Sequence, residues 1–244
     1  MMSRLKLGLA ALAALLLPIL VPPALAGPIA VVELFTSQGC SSCPPADALM
    51  SELAKRSELV ALTFPVDYWD YLGWKDTLAH PAFTVRQRAY AHGRSDRQVY
   101  TPQAIVNGTK PCVGSDQAQI EALIAASRSG PSLPVEVSAV EHDGTVAVEV
   151  AAASGQPAAD VWVLPVVRSR TVSIGRGENG GRTVTYANVV RGLTRIGEWR
   201  GETTRLEVPL AVARGDGDGY VVLVQVTRGT KPAAILGATK SAGL

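Results

Sequence analysis

Ile29-Ala-Val-Val-Glu-Leu-Phe-Thr-Ser-Gln-Gly-Cys-Ser-Ser-Cys-Pro-Pro45 is the stretch on which the reading of this chain turns. Its first seven residues are mainly apolar and partly β-branched, the pattern of a buried strand. Its last two suit the first turn of a helix, where a missing N–H removes no bond. Ala46, Leu49, Met50, Leu53 and Ala54 continue from there at helical spacing. Cys40 and Cys43 therefore fall on a strand-to-helix turn, where unpaired backbone N–H groups and the helix dipole both favour a thiolate. The spacing predicts a thiol–disulfide site.

Working outward, a helix over 45–56 and a second apolar run, Leu59 to Val66, complete a strand–helix–strand unit, which implies a parallel, right-handed crossover. A long excursion from Asp67 to Tyr100 carries Tyr68, Trp69, Tyr71 and Trp74, then a helical pattern from Pro81 to Ala91 ended by Gly93. Thr101-Pro102 leads into the strand Gln103–Val106, Asn107-Gly108 signals a hairpin, and a return strand runs through Cys112 and Val113. Ser115 and Asp116 are caps for a last helix holding Ile120, Leu123 and Ile124. The predicted order is β-α-β-α-β-β-α.

At Gly130-Pro-Ser-Leu-Pro134 the texture changes, and a domain boundary is expected there. Beyond it the strand candidates are Val135–Val140, Thr145–Val150, Val161–Val167, Thr171–Ile174, Arg182–Val190, Thr204–Leu210, Tyr220–Val226 and Ala233–Ala238. Such short, regular strands favour a sandwich of about seven or eight. Pro165 marks its strand as an edge or a bulge.

Residues 1–26 read as a secretory signal peptide. Arg4 and Lys6 precede an apolar run, Leu7 to Val21, that Pro18 interrupts, and Ala24-Leu25-Ala26 has the small-x-small cleavage pattern. The mature chain then starts at Gly27, with no later stretch long enough to span a bilayer as a helix. The compartment is periplasmic or extracellular and permits disulfides. With three cysteines in 244 residues the chain is no disulfide-stapled miniprotein, and a core of this size needs no staples. Arg4 and Lys6 leave with the signal, so the remaining basic side chains number 21 against 21 acidic ones. That balance argues for neither nucleic acid nor an anionic membrane as partner.

The first half resembles the thioredoxin superfamily, on the evidence of Cys40-Ser-Ser-Cys43 after the first strand and Thr101-Pro102 before the third. A closer resemblance is to a family of secreted bacterial thioredoxin-like proteins of unknown function, domain-of-unknown-function family 1223. Its marks here are Glu33-Leu-Phe-Thr-Ser-Gln-Gly-Cys-Ser-Ser-Cys-Pro-Pro-Ala-Asp47, Val66-Asp-Tyr-Trp-Asp-Tyr-Leu-Gly-Trp74, Tyr100-Thr-Pro-Gln103, Gly175-Arg-Gly-Glu-Asn179 and Asn188-Val-Val-Arg191. The resemblance implies an α/β thioredoxin-like domain over 27–130 followed by an all-β sandwich-like domain over 134–244. It also implies that Pro102 is a cis-proline facing the cysteine pair, with the Thr101 backbone free to pair with a substrate strand.

The chemistry expected is thiol–disulfide exchange. Cys40, taken as the more exposed thiol, is the nucleophile, favoured as thiolate by the backbone N–H groups that follow and by the Ser42 hydroxyl. Cys43 resolves the mixed disulfide. The partners are a protein or small-molecule thiol or disulfide and a redox partner protein, with no cofactor and no resident metal. Pro44-Pro45 follow the cysteines, whereas thioredoxin has proline between them, so Cys43 is expected just outside the helix. Asp67 and Trp69 should emerge at the same sheet edge as the cysteines. Asp67 is either a proton acceptor for Cys43 or a turn cap, and Trp69 and Trp74 either line a substrate groove or cover the core.

Two other classes use the same cysteines: a copper-binding or redox-sensing carrier, with His80 and His92 as further soft-metal ligands, and a binding module whose disulfide is structural. Cys112, among apolar neighbours, reads as a small hydrophobe. Arg86, Arg88, Arg94 and Arg97 read as a solvated face. Gly175-Arg-Gly-Glu-Asn-Gly180 fits a dinucleotide fingerprint by letter only, since no helix follows it. Asn107-Gly-Thr109 is a hairpin turn before it is a glycosylation site, and Asp216-Gly-Asp-Gly219 lacks the later ligands of a calcium loop.

Overall fold

Continuous apolar, β-branched runs make strands buried on both faces, and the two strongest of them lie side by side. The computed structural model describes residues 27–94, 96–129 and 133–244. The predicted signal peptide and residues 130–132 of the predicted junction lie outside them. β1 (Ala30–Thr36) and β2 (Leu59–Pro65) pair in parallel, every residue of both buried, with α1 (Pro44–Leu53) as the crossover. β3 (Gln103–Val106) lies antiparallel on the other side of β1, and β4 (Lys110–Val113) antiparallel on β3. Asn107 and Gly108 both take positive φ at the turn between them, the conformation that hairpins of this type require.

α1 and α3 (Gln117–Arg128) cover one face of this sheet with Ala46, Met50, Leu53, Ile120 and Ile124. α2 (Pro81–Gly93) covers the other with Phe83 and Tyr90. Caps set where the helices begin. The Asp116 carboxylate accepts from the Gln119 N–H at 2.9 Å, and His80 Nδ1 accepts from the Ala82 N–H at 3.1 Å.

The second half supplies β5 (Val137–His142), β6 (Thr145–Val150), β7 (Ala159–Ser173), β8 (Thr183–Val190), β9 (Thr194–Trp199), β10 (Thr204–Pro209), α4 (Leu210–Arg214), β11 (Gly219–Arg228) and β12 (Lys231–Lys240). Here the expected α/β thioredoxin-like domain followed by an all-β sandwich-like domain is overturned. β8 pairs in parallel with β2 at Thr63 and Val189, so one mixed sheet of nine strands crosses both halves. Its order is β12-β11-β7-β8-β2-β1-β3-β4, with β9 also on β7. A three-stranded sheet, β10-β6-β5, packs against the β7–β11 part through Val148, Val161, Trp199 and Val222.

The physical reason is at the seam, which buried polar side chains hold. The Thr63 hydroxyl donates to the Ala187 carbonyl at 2.6 Å, and the Asn188 amide donates to the Ala61 carbonyl at 3.0 Å. Hydrophobic periodicity carries no trace of such bonds. Behind the seam a single apolar core runs from Phe35, Phe64 and Phe83 to Leu164, Val221 and Ile235.

Two smaller expectations meet the structure unevenly. The strand of Pro165, β7, is no edge, since β11 lines one side of it throughout this region, but it is irregular, its register against β9 shifting between Val161 and Trp162. On the other side β7 pairs with β9 up to Val163 and with β8 from Val166, and Pro165 sits in the gap where its missing N–H breaks no ladder bond. Arg86 is no solvated side chain. It is 8% exposed and paired with the fully buried Glu33 at 2.7 Å. The Tyr90 hydroxyl donates to the other Glu33 oxygen at 2.5 Å, while Arg86 also donates to Tyr90 and to the Gln225 amide oxygen. This cluster ties β1 and α2 to β11 across the two halves.

Candidate functional site

β1 ends at Thr36, and Ser37 to Cys40 turn the chain into α1 along a buried path. The Cys40 N–H bonds to the Ser37 carbonyl at 3.2 Å, and the Cys43 N–H to the Cys40 carbonyl at 3.1 Å. These turns bring the Cα atoms of Cys40 and Cys43 to 5.4 Å, and the two are joined as a disulfide. Cys43 is the N-cap of α1 in a right-handed helical conformation, its carbonyl accepting from the N–H groups of Ala46 and Asp47. The proline pair therefore leaves Cys43 at the helix boundary. Pro44 and Pro45 occupy the first two helical positions, so two of the N–H donors that a helix start ordinarily offers an anion are missing here.

Exposure departs from the expectation for Cys40. Cys40 is 2% exposed and Cys43 is fully buried, while Ser41 and Ser42 between them face solvent. Ser42 Oγ lies 3.4 Å from Cys40 Sγ and also donates a long bond, 3.5 Å, to the Thr101 carbonyl. That contact brings Thr101 to the cysteine turn. The Thr101–Pro102 peptide bond is cis, Pro102 is buried, and its carbonyl accepts from the Gly114 N–H at 2.9 Å. Trp69 completes this side, its indole N–H donating to Thr101 Oγ1 at 2.8 Å. Gly39 makes room for it, because a Cβ there would stand 2.9 Å from the Trp69 Cβ.

Asp67 goes elsewhere. Its carboxylate accepts from the Thr84 hydroxyl at 2.5 Å, anchoring the end of β2 to α2. The carboxyl placed beside the cysteine helix is Asp47, one helical turn beyond Cys43. It is 2% exposed and accepts from the Thr36 hydroxyl at 2.7 Å through Oδ1, while Oδ2 has no hydrogen-bond partner. Burial in this setting pushes its pKa up to about 8, against the smaller opposing effect of the Thr36 bond. Asp76, also buried, is held above the usual carboxylate range by desolvation although it accepts from the N–H groups of Gln38, Leu78 and Ala79.

Gln38 is where the turn is gripped. Its N–H is taken by Asp76 at 2.8 Å, and its side-chain oxygen by the Trp74 indole at 2.8 Å. Its carbonyl is taken by the Asn179 amide at 3.0 Å, and the same amide donates to the Cys40 carbonyl at 2.8 Å. Asn179 comes from the loop between β7 and β8, which rests on Trp74 through Gly175 and Gly177. Asn179 and Trp74 stand within sequence motifs, but nothing local in the sequence gives Asn179 a role. Nor does anything local single out Gln38, Asp47 or Asp76. A polar residue among glycines, with no turn signal that needs it, is the available clue to Asn179.

Cys112 is a free thiol, 3% exposed on β4, and burial raises its pKa to about 11. It packs with Ala104, Ile120 and Ile124. His80 caps α2 and His92 is exposed in the last turn of the same helix. Among the described residues no three His, Cys, Asp or Glu side chains come together as a metal site, so neither histidine joins the cysteine pair in one.

Comparison with solved structures finds the crystal structure of protein AGR_C_4864 from Agrobacterium tumefaciens, 37% identical, with a TM-score of 0.80 over 91% of this chain and 97% of that one. HBP35 of Porphyromonas gingivalis is similar in fold alone, at 13% identity and a TM-score of 0.58, covering 88% of this chain and 75% of that one. Comparison with curated proteins finds no match. Residues 31–225 match the family described as "Protein of unknown function (DUF1223)", a span that includes the cysteine turn, Thr101-Pro102 and Asn179, and the chain belongs to that family.

Proposed function

We propose that this chain is a thiol–disulfide oxidoreductase of an extracytoplasmic compartment, related in its chemistry to the thioredoxin superfamily and acting on protein or small-molecule thiols. The observation that carries the reading is the Cys40–Cys43 disulfide closed across the start of α1 and bridged by Ser42 to Thr101 of the cis-proline segment. The signal-like segment at 1–26 supports the compartment.

In the disulfide form, a substrate thiolate attacks Cys40 Sγ. The Cys40–Cys43 bond breaks, a substrate–Cys40 disulfide forms, and Cys43 leaves as a thiolate. A second substrate thiol, deprotonated, attacks the substrate sulfur of that mixed disulfide, Cys40 leaves as a thiolate, and the substrate departs oxidised by two electrons. A disulfide-bearing redox partner takes those electrons back, and the same steps in reverse reduce a substrate disulfide. Buried sulfurs require the substrate to approach over exposed Ser41 and Ser42. A substrate backbone N–H can then replace the weak Ser42 donor at the Thr101 carbonyl, while Trp69 borders the same entry. Asp47, one helical turn beyond Cys43 and held mostly protonated below about pH 8, is the buried acid to which we assign proton exchange with Cys43.

Cys43→Ser, produced in the native compartment, tests this. The variant should accumulate mixed disulfides through Cys40 with several proteins, released by dithiothreitol. Absence of any such adduct, in a variant that folds, would contradict the reading and favour a structural disulfide.

A further inference from the structure

We infer that Asn179 is a positioning residue for the Cys40–Cys43 couple, through which the second half of the chain sets how strongly the disulfide is favoured. The inference rests on the reading of the pair as a working redox couple, and it assigns that couple a regulator outside the first half.

Asn179 is 1% exposed, and both of its side-chain bonds are donations to carbonyls of the cysteine turn, Gln38 and Cys40. Its amide oxygen is buried and has no partner. Turning the amide over would set that oxygen against two carbonyl oxygens, so the two acceptors dictate the orientation. Leaving a buried oxygen without a partner is costly, which marks a side chain held for its donors. The loop that presents it is itself fixed. The Ile174 N–H bonds to the Arg182 carbonyl and the Gly181 N–H to the Ile174 carbonyl, each at 2.8 Å, and the Arg182 N–H bonds to the Asn179 carbonyl at 3.1 Å. Gly175 seats the loop on Trp74, whose indole bonds Gln38 from the other side.

The Cys40 carbonyl that Asn179 holds is also the acceptor for the Cys43 N–H. One amide thus fixes the backbone that sets where Cys40 Sγ stands relative to Cys43. Closing a disulfide costs less when the two thiols are already held together, because little freedom remains to be lost. Without the clamp, the dithiol gains freedom that the cross-linked form cannot, and the balance moves toward the dithiol.

Equilibration of the full chain in glutathione redox buffers, read by thiol alkylation and mass, tests this. Asn179→Ala should lower the equilibrium constant for the disulfide about tenfold, equivalent to a potential higher by about 30 mV for a two-electron couple. Gly175→Ala, whose Cβ would stand 3.0 Å from Trp74 Cζ3, should shift it the same way by less, and alone decides the matter if the Asn179 variant does not fold. A purely structural residue would destabilise the oxidised and reduced chains equally and leave the equilibrium at the wild-type value; that result overturns the inference. A wild-type pair that never equilibrates with glutathione overturns the underlying reading, and this inference falls with it.

Discussion

Glu33 and Asp47 are both buried acids, one on the central strand β1 and the other on the helix that follows the cysteine turn, and the molecule treats them in opposite ways. Both oxygens of Glu33 are met, one by the Arg86 guanidinium and one by the Tyr90 hydroxyl, with Gln225 closing the cluster from β11. Asp47 has one hydroxyl and one unmet oxygen, and among the described residues no lysine or arginine pairs with it. A buried charge with its partners in place holds segments together. A buried carboxyl without them keeps its proton, and here it does so one turn from Cys43. The difference separates a joint between the halves from a lone buried carboxyl on the helix that follows the cysteine turn.

The joint should show the larger effect when broken. Arg86→Met leaves Glu33 unpaired and should cost roughly 3–5 kcal/mol in urea unfolding, the scale for stripping one partner from a buried pair. Glu33→Gln added to it should recover part of that loss, because the orphaned charge goes too. If the single variant costs no more than an exposed ion pair would, the cluster does not join the halves.

The Asp47 side of the comparison is tested through pH. Burial holds its folded pKa near 8 against an ordinary value of 3.8, so between about pH 4 and pH 8 the unfolded chain gives up this proton and the folded chain keeps it. The Asp47 contribution to stability is full below about pH 4, falls as pH rises, and levels off above about pH 8. Asp47→Asn should remove that fall, gaining on the wild type by more at pH 8 than at pH 5 in paired urea titrations. An equal difference at both values would mean that Asp47 ionises in the folded chain like any exposed carboxylate.

Two smaller changes sharpen the contrast near the turn. Gly39→Ala drives a Cβ toward that of Trp69 and should cost roughly 1–3 kcal/mol in thermal or urea unfolding, as overpacking does. Cys112→Val, in the apolar cluster under α3, should cost less than about 1.5 kcal/mol and leave the fraction of Cys40–Cys43 disulfide unchanged in glutathione buffer. A changed fraction would mean that Cys112 exchanges with the pair.

What the sequence revealed follows from which forces leave a periodic mark. β1, β2, β3 and the three longer helices were legible because apolar spacing, prolines and caps write them locally, and the hairpin turn at Asn107 was legible from turn chemistry. The strands Val161–Val167 and Thr171–Ile174 proved to be one strand, β7, because polar Arg168 to Arg170 interrupt its pattern without interrupting its pairing. β9, with its alternate charges, and the short α4 went unread. The continuous sheet was hidden because Thr63 and Asn188, which make the seam, look like ordinary polar residues until their partners are known. Around the cysteine turn, the cysteines, Thr101-Pro102 and Trp69, which the structure brings together, were legible because each has a local signature. Asp47, Gln38 and Asn179 were missed because their importance lies in what they face across long chain separations.

Whether Cys40 and Cys43 form a working redox couple is decided by equilibrating the wild-type protein across a series of glutathione redox buffers. A working couple gives a reversible two-electron transition confined to Cys40 and Cys43, with a potential between roughly −270 and −120 mV, the range of known exchange sites. A disulfide that stays closed in every glutathione buffer, and opens only under strong dithiol reductant or on unfolding, would contradict it.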